Sequence, residues 1–242
     1  MQTQVLVQDS KERPELYPRY FWQSCTIVVW GSVGLSIGLW LLATLTDPGK
    51  LRVDSSEQDT RLCTQCNLMR DERTHHCSKC RRCVEDMDHH CSYLNNCVGR
   101  RNRKYFVLFL TTTCPGSLLY LFLLAQYSFG HISAAPIPSQ FSTSLPRLLF
   151  LLISLVQVLL ILLILTLAAT QHFLIFHNMT TLEVLKEMQR RPPRWCWEWE
   201  AEYDEGVIPN YRKVFGTSLA EWCLPTPPNL VPSLFLSYTS FV

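Results

Sequence analysis

Three long runs without Asp, Glu, Lys or Arg are the feature that most restricts how this chain can fold. They extend from Tyr20 to Thr46, from Tyr105 to Gly130 and from Leu148 to Phe176. About 20 apolar residues suffice to cross a bilayer as a helix, so each run is long enough. We therefore predict an integral, multi-pass α-helical membrane protein with transmembrane helices at residues 20–46, 105–130 and 147–176.

The distribution of basic residues predicts which segments face the cytosol. Lys and Arg gather in residues 47–104 and in the tail at residues 177–242, whereas residues 131–146 contain neither. Cytosolic segments of membrane proteins carry the excess of Lys and Arg. Residues 131–146 are then a lumenal hairpin, and the N-terminal segment at residues 1–19 lies on that side too. Its own basic residues conflict with this, and a further upstream span would remove the conflict.

A dense group of cysteines and histidines separates the first two runs. Seven of the eleven cysteines and four histidines lie between Cys63 and Cys97. Zinc is held tetrahedrally by four such ligands, and two cysteines separated by two residues present both sulfurs from one tight turn. Pairs of this kind begin at Cys63 and Cys77, so two metal ions and eight ligands are predicted.

The eleven candidate ligands exceed the eight that two zinc sites need. If Cys91 is set aside, six cysteines and two histidines complete two Cys3His sites. A free thiol then lies beside an imidazole and a carboxylate, because His89 and Asp88 precede it closely. Ionisation by a neighbouring base makes a thiol nucleophilic, and an acid can orient that base. Since adjacent residues of a strand face opposite ways, we expect a turn to bring the three groups together.

The segment from Cys63 to Phe106 resembles the cysteine-rich domain of the DHHC protein S-acyltransferase family. The matching residues are Cys63, Cys66, Arg70, Arg73, His76, Cys77, Cys80, Cys83, Asp88, His89, His90, Cys91, Asn96, Cys97, Gly99, Asn102 and Phe106. Three shorter matches lie outside it: Asp47-Pro48-Gly49, Thr180-Thr181-Leu182-Glu183, and Asn210 with Phe215-Gly216. Asp71, Ser92 and Tyr93 depart from the family pattern, and the family has a further upstream span.

This resemblance implies roles for the metal ligands, the catalytic residues and their supporting residues. Cys63, Cys66, His76 and Cys83 would bind one structural zinc, and Cys77, Cys80, His90 and Cys97 the other. Cys91 would be the acylated nucleophile, His89 its base and Asp88 the orienting acid. Thr181 would hydrogen-bond near Asp88, with Thr180, Glu183 and Asn210 as structural support. The zinc domain would consist of short β-hairpins and loops on the cytosolic side.

The same resemblance implies fatty acyl-CoA, most simply palmitoyl-CoA, as acyl donor and membrane-associated proteins with cytosolic cysteines as acceptors. Five residues before the second span are candidates to contact coenzyme A: Arg100, Arg101, Asn102, Arg103 and Lys104. An alternative for this basic group is orientation of the span alone. Nucleic-acid binding is disfavoured, because the basic residues alternate with acids and the cluster is tethered to a bilayer.

Other interpretations concern the whole chain and one span. A catalytically inactive zinc-binding membrane scaffold or adaptor is the alternative to an enzyme.

In the second span, Pro115-Gly116 predicts a kink, or room at the end of a cavity for an acyl chain. No internal repeat is evident. The predicted locations are the endomembranes (Golgi or ER) and the plasma membrane.

Overall fold

The computed structural model describes residues 19–49, 61–134, 144–190 and 201–227. Its three longest helices are α1 (Arg19–Leu45), α2 (Arg103–Ala134) and α3 (Ser144–Phe176). Each contains a stretch long and apolar enough to cross a membrane: Gln23–Leu45, Arg103–Ala125 and Leu151–Phe176. The predicted set of three membrane helices is thus confirmed by length and composition. Residues 1–18 and 135–143, which include most of two predicted segments, lie outside the described residues.

Close packing joins α1 to α2. Gly116 of α2 is buried against α1, where an added Cβ would lie 2.6 Å from the Cβ of Ser32. Pro115 lies inside α2, which continues on both sides of it. A side chain as small as hydrogen is therefore needed at position 116 for helix contact. Gly116 serves this contact and also lines a cavity between the helices, so its interpretation as room for an acyl chain stays a prediction.

Three short antiparallel hairpins connect α1 to α2. The strand pairs are β1 (Arg61–Cys63) with β2 (Leu68–Arg70), β3 (His75–Cys77) with β4 (Arg82–Val84), and β5 (His89–Cys91) with β6 (Asn96–Val98). Each four-residue connection ends in a residue with positive φ, namely Asn67, Arg81 and Asn95 at 54°, 53° and 48°. The three hairpins thus have the same turn.

A step of 14 residues relates the hairpins, from Cys63 to Cys77 and again to Cys91. The expectation of no internal repeat was therefore wrong. The second and third hairpins share five of their six strand residues, whereas the first hairpin shares with them mainly its strand-ending cysteine, the turn conformation and the strand register. In each hairpin the strand-ending cysteine pairs with the first residue of the next strand, for example Cys63 with Leu68.

Asn102 fixes the hairpin region to the membrane helices. Its side-chain amide donates to the carbonyls of Ala43 in α1 and Cys97 in β6, and its carbonyl accepts from Gly99 N. All of this is buried. Buried polar groups need such partners, so Asn102 holds the end of α1, the third hairpin and the start of α2 in one arrangement.

The C-terminal part contributes three shorter helices, α4 (Thr181–Arg190), α5 (Val207–Phe215) and α6 (Leu219–Cys223). Asn210 joins α5 to the end of α3, because its amide donates to Phe176 O at 2.8 Å and to Asp204 at 2.7 Å. Lys104 joins α2 to the same region by donating to Phe215 O at 3.0 Å. The described tail is thus packed against the helices.

Candidate active site and metal centres

Two groups of four side chains have the geometry of zinc sites. The first is Cys63, Cys66, His76 and Cys83, and the second is Cys77, Cys80, His90 and Cys97, each with ligand atoms within 4.8 Å of one another. The Nδ1 of His76 lies 3.2–3.9 Å from its three sulfurs, and that of His90 lies 3.4–3.7 Å from its own. Ordinary zinc bond lengths place tetrahedral ligand atoms about 3.5–3.8 Å apart.

The donor set therefore fits two structural zinc ions, as the sequence predicted. With three thiolates and one imidazole, each ion has four protein ligands and no open position for water. Cys91 belongs to neither group. The division of the motif into His90 as ligand and Cys91 as free thiol is consistent with this grouping.

The two metal groups are interleaved along the hairpins. We call the turns 63–66, 77–80 and 91–94 the first, second and third knuckles. The first group combines the first knuckle with the cross-strand pair His76 and Cys83 of the second hairpin. The second combines the second knuckle with the pair His90 and Cys97 of the third hairpin. Each metal would thus fasten one hairpin to the next.

Cys91 lies at the end of β5, buried in an apolar cluster with Leu94, Val98 and Phe106. His89 is two residues earlier on the same strand. Side chains two apart on a strand share a face, so β5 directs His89 and Cys91 to one side and His90 to the metal on the other. The expected turn is therefore not needed to bring His89 and Cys91 together, because alternation along β5 already places both on the face opposite His90.

Asp88 is completely buried and accepts hydrogen bonds from several elements. Its Oδ2 accepts from His89 Nδ1 at 2.7 Å, and from Gln171 Nε2 in α3 at 3.0 Å. The backbone N–H and the hydroxyl of Thr181 at the start of α4 both donate at 2.9 Å. The guanidinium of Arg103 in α2 lies 3.4 Å away. A buried carboxylate requires this kind of compensation.

These contacts set the charge states of the three groups. Burial acts to raise the pKa of Asp88, but Arg103, His89 and Thr181 outweigh it and hold that pKa well below its ordinary value. For His89, burial is outweighed by hydrogen bonding to Asp88 and Cys91, which raises its pKa to about 9. Burial would raise the pKa of Cys91, yet His89 and the backbone N–H groups of the third knuckle lower it. The arrangement favours a thiolate beside an imidazolium.

An apolar groove of about 490 Å³ runs between α1, α2 and α3. Trp40 and Phe109 line it and also pack against the cluster that contains Cys91. The groove extends along α1 from Trp40 to Val29, about 16 Å at 1.5 Å per helical residue. The Trp40 end of the groove is thus connected to the cluster around Cys91 through the side chains of Trp40 and Phe109, and the groove continues between the helices to Val29.

The five residues predicted to contact coenzyme A have different surroundings. Asn102, Arg103 and Lys104 are buried and bonded to the chain itself. Arg100 is largely exposed and lies 4.0 Å from Glu85, while Arg101 is half-buried. The solvent-facing part of the predicted coenzyme A contact is therefore Arg100 and Arg101, whereas the other three have structural partners.

A second basic group, which the sequence reasoning missed, surrounds His75. Lys186 Nζ of α4 lies 3.3 Å from His75 Nε2. Burial first, and then the charges of Lys186, Arg70 and Arg61, lower the pKa of His75 to about 4. Three cations thus converge on one face of the hairpin region. This group could not be predicted from the sequence, because its members lie far apart in the chain, from β1 to α4.

Thr180, Glu183 and Arg73 hold the start of α4 beside the hairpins. Glu183 accepts from Thr180 N at 2.7 Å and from Arg73 Nε at 2.9 Å. The Arg73 guanidinium also donates to Asn178. These bonds position Thr181 against Asp88. Gln171 was not predicted as a site residue; a lone amide near the end of an apolar run was the available signal, because polar groups at membrane depth commonly mark a site.

Known proteins with similar sequences give the same picture of the central region. A family model described as DHHC palmitoyltransferase matches residues 56–188. "Putative ZDHHC-type palmitoyltransferase 2" of Dictyostelium discoideum is 36% identical over 209 residues, covering 78% of this chain and 46% of that protein. "Probable protein S-acyltransferase 14" of Arabidopsis thaliana is 33% identical over 183 residues, covering 72% and 54%. The chain spans about half the length of these curated relatives.

Proposed function

The chain belongs to the DHHC palmitoyltransferase family, and from that premise we propose that it is a protein S-acyltransferase with Cys91 as nucleophile. One observation carries the proposal. Cys91 is a thiol outside both metal groups, beside His89 and the buried Asp88, and its apolar cluster packs against Trp40 and Phe109, which line an apolar groove between membrane helices. An active thiol next to a lipid-sized groove is what transfer of a fatty acyl group requires.

In the first step, the Cys91 thiolate attacks the carbonyl carbon of a fatty acyl-CoA. A new C–S bond forms to Cys91, and the bond to the coenzyme A sulfur breaks. The imidazolium of His89 supplies the proton that the departing coenzyme A thiolate takes up. Asp88 holds the His89 ring through Nδ1, which leaves Nε2 to face the sulfur. The product is an S-acylated Cys91.

In the second step, a cysteine thiol of a protein substrate attacks the acyl-Cys91 thioester. His89 accepts the proton of that thiol, the acyl group moves to the substrate and Cys91 leaves as thiolate. One thioester replaces another in both steps, so neither needs an external energy source. The two groups of four ligands would hold zinc ions that fasten the hairpins together. His89, oriented by Asp88, carries the proton in both steps.

The apolar groove is proposed to bind the acyl chain, most simply that of palmitate. Each buried methylene contributes about 0.8 kcal/mol, so a long chain binds far more tightly than acetyl. The groove is about 16 Å long between Trp40 and Val29, a length that suits such a chain. We propose that the thioester then lies near Trp40, next to Cys91.

Two basic groups are candidates for the phosphates of coenzyme A. The first is Arg100 with Arg101, and the second consists of Arg61, Arg70 and Lys186 around His75. We favour the second because of Lys186, which has no carboxylate within 4.0 Å among the described residues. Arg100, by contrast, lies 4.0 Å from Glu85 and 3.9 Å from Asp86, and Arg61 pairs with Glu72 at 2.9 Å. Lys186 lies about 7.5 Å along α4 from Thr181, which contacts Asp88. A coenzyme A molecule is long enough to place its phosphates at Lys186 and its thioester at Cys91.

The proposed acceptors are membrane-associated proteins that present a cysteine close to the bilayer. With the hairpins and the described tail on the cytosolic side, the thiolate meets acyl-CoA where that molecule is soluble. The basic residues of these segments support this orientation. The bilayer itself covers the apolar faces of the three membrane helices.

The test is formation of an acyl-enzyme by the purified protein in detergent with palmitoyl-CoA. Intact mass should increase by one palmitoyl group, which hydroxylamine removes, and peptide mapping should place it on Cys91. Cys91→Ser should abolish the increase, whereas Cys114→Ser, which changes a cysteine inside α2, should not. Retained hydroxylamine-sensitive acylation in Cys91→Ser would remove Cys91 as nucleophile.

The same preparation distinguishes the enzyme from an inactive zinc-bearing scaffold and decides between the basic groups. Zinc-loaded protein that never becomes acylated would favour the scaffold. Lys186→Glu and Arg100→Glu are compared by the KM for palmitoyl-CoA. We expect the larger increase in Lys186→Glu, with two zinc ions retained in both; a larger increase in Arg100→Glu would move the coenzyme A site to Arg100 and Arg101.

A further inference from the structure

The third knuckle has the backbone of a metal-binding turn although it holds only one cysteine. Its connection ends at Asn95 with φ 48°, as the first and second end at Asn67 and Arg81. The register also agrees, since Cys91 pairs with Asn96 as Cys77 pairs with Arg82. Position 91 in this turn corresponds to the first cysteine of the two metal-binding knuckles.

Hydrogen bonding to sulfur is shared by the three turns as well. In the second knuckle, Cys80 N donates to Cys77 Sγ at 3.4 Å, and in the first the backbone N–H of Cys66 points to Cys63. In the third, the N–H groups of Leu94 and Tyr93 do the same for Cys91. The turn that prepares a zinc thiolate therefore surrounds the nucleophile.

One residue distinguishes the third knuckle from the others. The second cysteine is Cys66 in the first and Cys80 in the second, but the corresponding position in the third is Leu94. The Leu94 side chain is 1% exposed and packs in the cluster around Cys91. The place where a second thiolate would approach a metal is thus filled by hydrocarbon.

The interleaved ligand pattern also stops at this point. Each of the first two knuckles obtains its other two ligands from the next hairpin. After the third hairpin the chain enters α2, and Phe106 of α2 packs against His89 with ring centroids 5.4 Å apart. Among the described residues, no His or Cys is grouped with Cys91 as a metal ligand, and His89 on the same strand belongs to neither metal group.

We propose that Leu94 is the residue that keeps zinc away from the nucleophile, and that Cys91 is the first cysteine of a third, metal-free zinc knuckle. A cysteine at position 94 would complete a Cys-x2-Cys turn, with the His89 imidazole as third ligand. Three protein ligands suffice to hold zinc when water takes the fourth position. The inference rests on the proposed role of Cys91, but its test counts metal ions.

The experiment measures zinc per chain by elemental mass spectrometry on protein purified in detergent under reducing conditions. The unchanged protein and Leu94→Ala should each hold two zinc ions, and Leu94→Cys should hold three. Leu94→Cys combined with Cys91→Ser should return to two, because the extra ion then lacks a ligand. Cobalt substitution should show the matching increase of thiolate-to-cobalt absorption in Leu94→Cys.

Acyl-enzyme formation by Leu94→Cys should fall at least tenfold relative to Leu94→Ala, since metal would bind the thiolate. Two zinc ions in a folded Leu94→Cys protein, or three in the double variant, would overturn the proposal. If Leu94→Cys retains fewer than two zinc ions, the domain has not folded, and Leu94→His is measured instead. Three zinc ions in Leu94→His would then support the proposal, and two would overturn it. Failure of the unchanged protein to become acylated would overturn the proposed function and leave these counts unaffected.

Discussion

At the scale of single residues, the Asp88 carboxylate connects four elements of the chain through hydrogen bonds and an ion pair. Donors reach it from β5, α2, α3 and the start of α4. Burying a charge is costly unless partners compensate, so Asp88 both orients His89 and depends on the four elements being correctly placed. Substitution of any of these donors should therefore change the reactivity of the Cys91 thiol.

Gln171→Leu removes one of these donors at nearly constant volume. Hydrogen bonds to a charged group contribute about 1.5–3 kcal/mol, so acyl-enzyme formation should slow by about tenfold to a hundredfold. The KM for palmitoyl-CoA and the zinc content should stay unchanged, which a general loss of structure would not allow. Thr170→Val, an exposed neighbour on α3, is the control. An unchanged rate in Gln171→Leu would remove this residue from the positioning of Asp88.

Lys104 provides a second prediction at this scale. It is 1% exposed, and its ammonium group bonds to the last carbonyl of α5 and to Thr226. Lys104→Met leaves that buried carbonyl without its donor, which costs about 1–3 kcal/mol. We expect a lower melting temperature and faster proteolysis within the tail, but not in Lys213→Met, which changes an exposed lysine of α5. A raised KM for palmitoyl-CoA with unchanged stability would instead favour a coenzyme A contact.

At the scale of elements, the contact between α1 and α2 depends on a missing side chain. Gly116 faces Ser32, whereas a Cβ at Gly34 on α1 would meet nothing within 4 Å. The two glycines have the same intrinsic cost in a helix. They therefore form a matched pair in which only the packing differs.

Gly116→Ala should destabilise the protein by about 1–3 kcal/mol, because the new methyl group overpacks the contact with Ser32. Gly34→Ala should be neutral or slightly stabilising. Adding Ser32→Gly to Gly116→Ala should restore much of the loss, since it removes the atom in conflict. Thermal unfolding in detergent measures all of these. Equal effects of the two alanine substitutions would contradict the described packing.

Much of this could be predicted from the sequence, for reasons that differ between elements. The membrane helices follow from composition alone, and the resemblance to the DHHC family assigned His90 to a metal and Cys91 to the free thiol. Contacts between distant parts could not be predicted, because Gln171 and Asp88 meet only through the packing of α3 on the hairpins. The burial of Lys104, which was predicted to contact coenzyme A, also depends on where the tail packs.

At the scale of the whole molecule, the hairpins that carry the metal groups are connected to the membrane helices by hydrogen bonds and ion pairs. The hairpins hold Asp88, and Arg73 links them to Glu183 at the start of α4. Zinc sites supply folding free energy directly to small domains that bind them. Loss of the metals should therefore disturb Cys91 although it is not a ligand.

Removal of zinc by a chelator should abolish acyl-enzyme formation and make residues 61–98 sensitive to protease. Cys83→Ser, which affects the first metal group only, should lower the zinc count and reduce acylation even though Cys91 is unchanged. Readdition of zinc should restore both the count and the activity of chelated protein. Full acylation of metal-free protein would show that Cys91 does not depend on the hairpins. Cys25→Ser, in α1, is the matched cysteine control.

The interleaving of ligands has a consequence for how the domain assembles during synthesis. The first metal group is complete when Cys83 has been made, and the second only when Cys97 has been made. Chains fold from the N-terminal end as they emerge, so metal loading can proceed in the direction of translation. The second hairpin is fastened before the third exists. Once Cys97 has been made, both metal groups are complete and Cys91 is the thiol left outside them. The helix α2, which packs against Cys91, is made immediately afterwards.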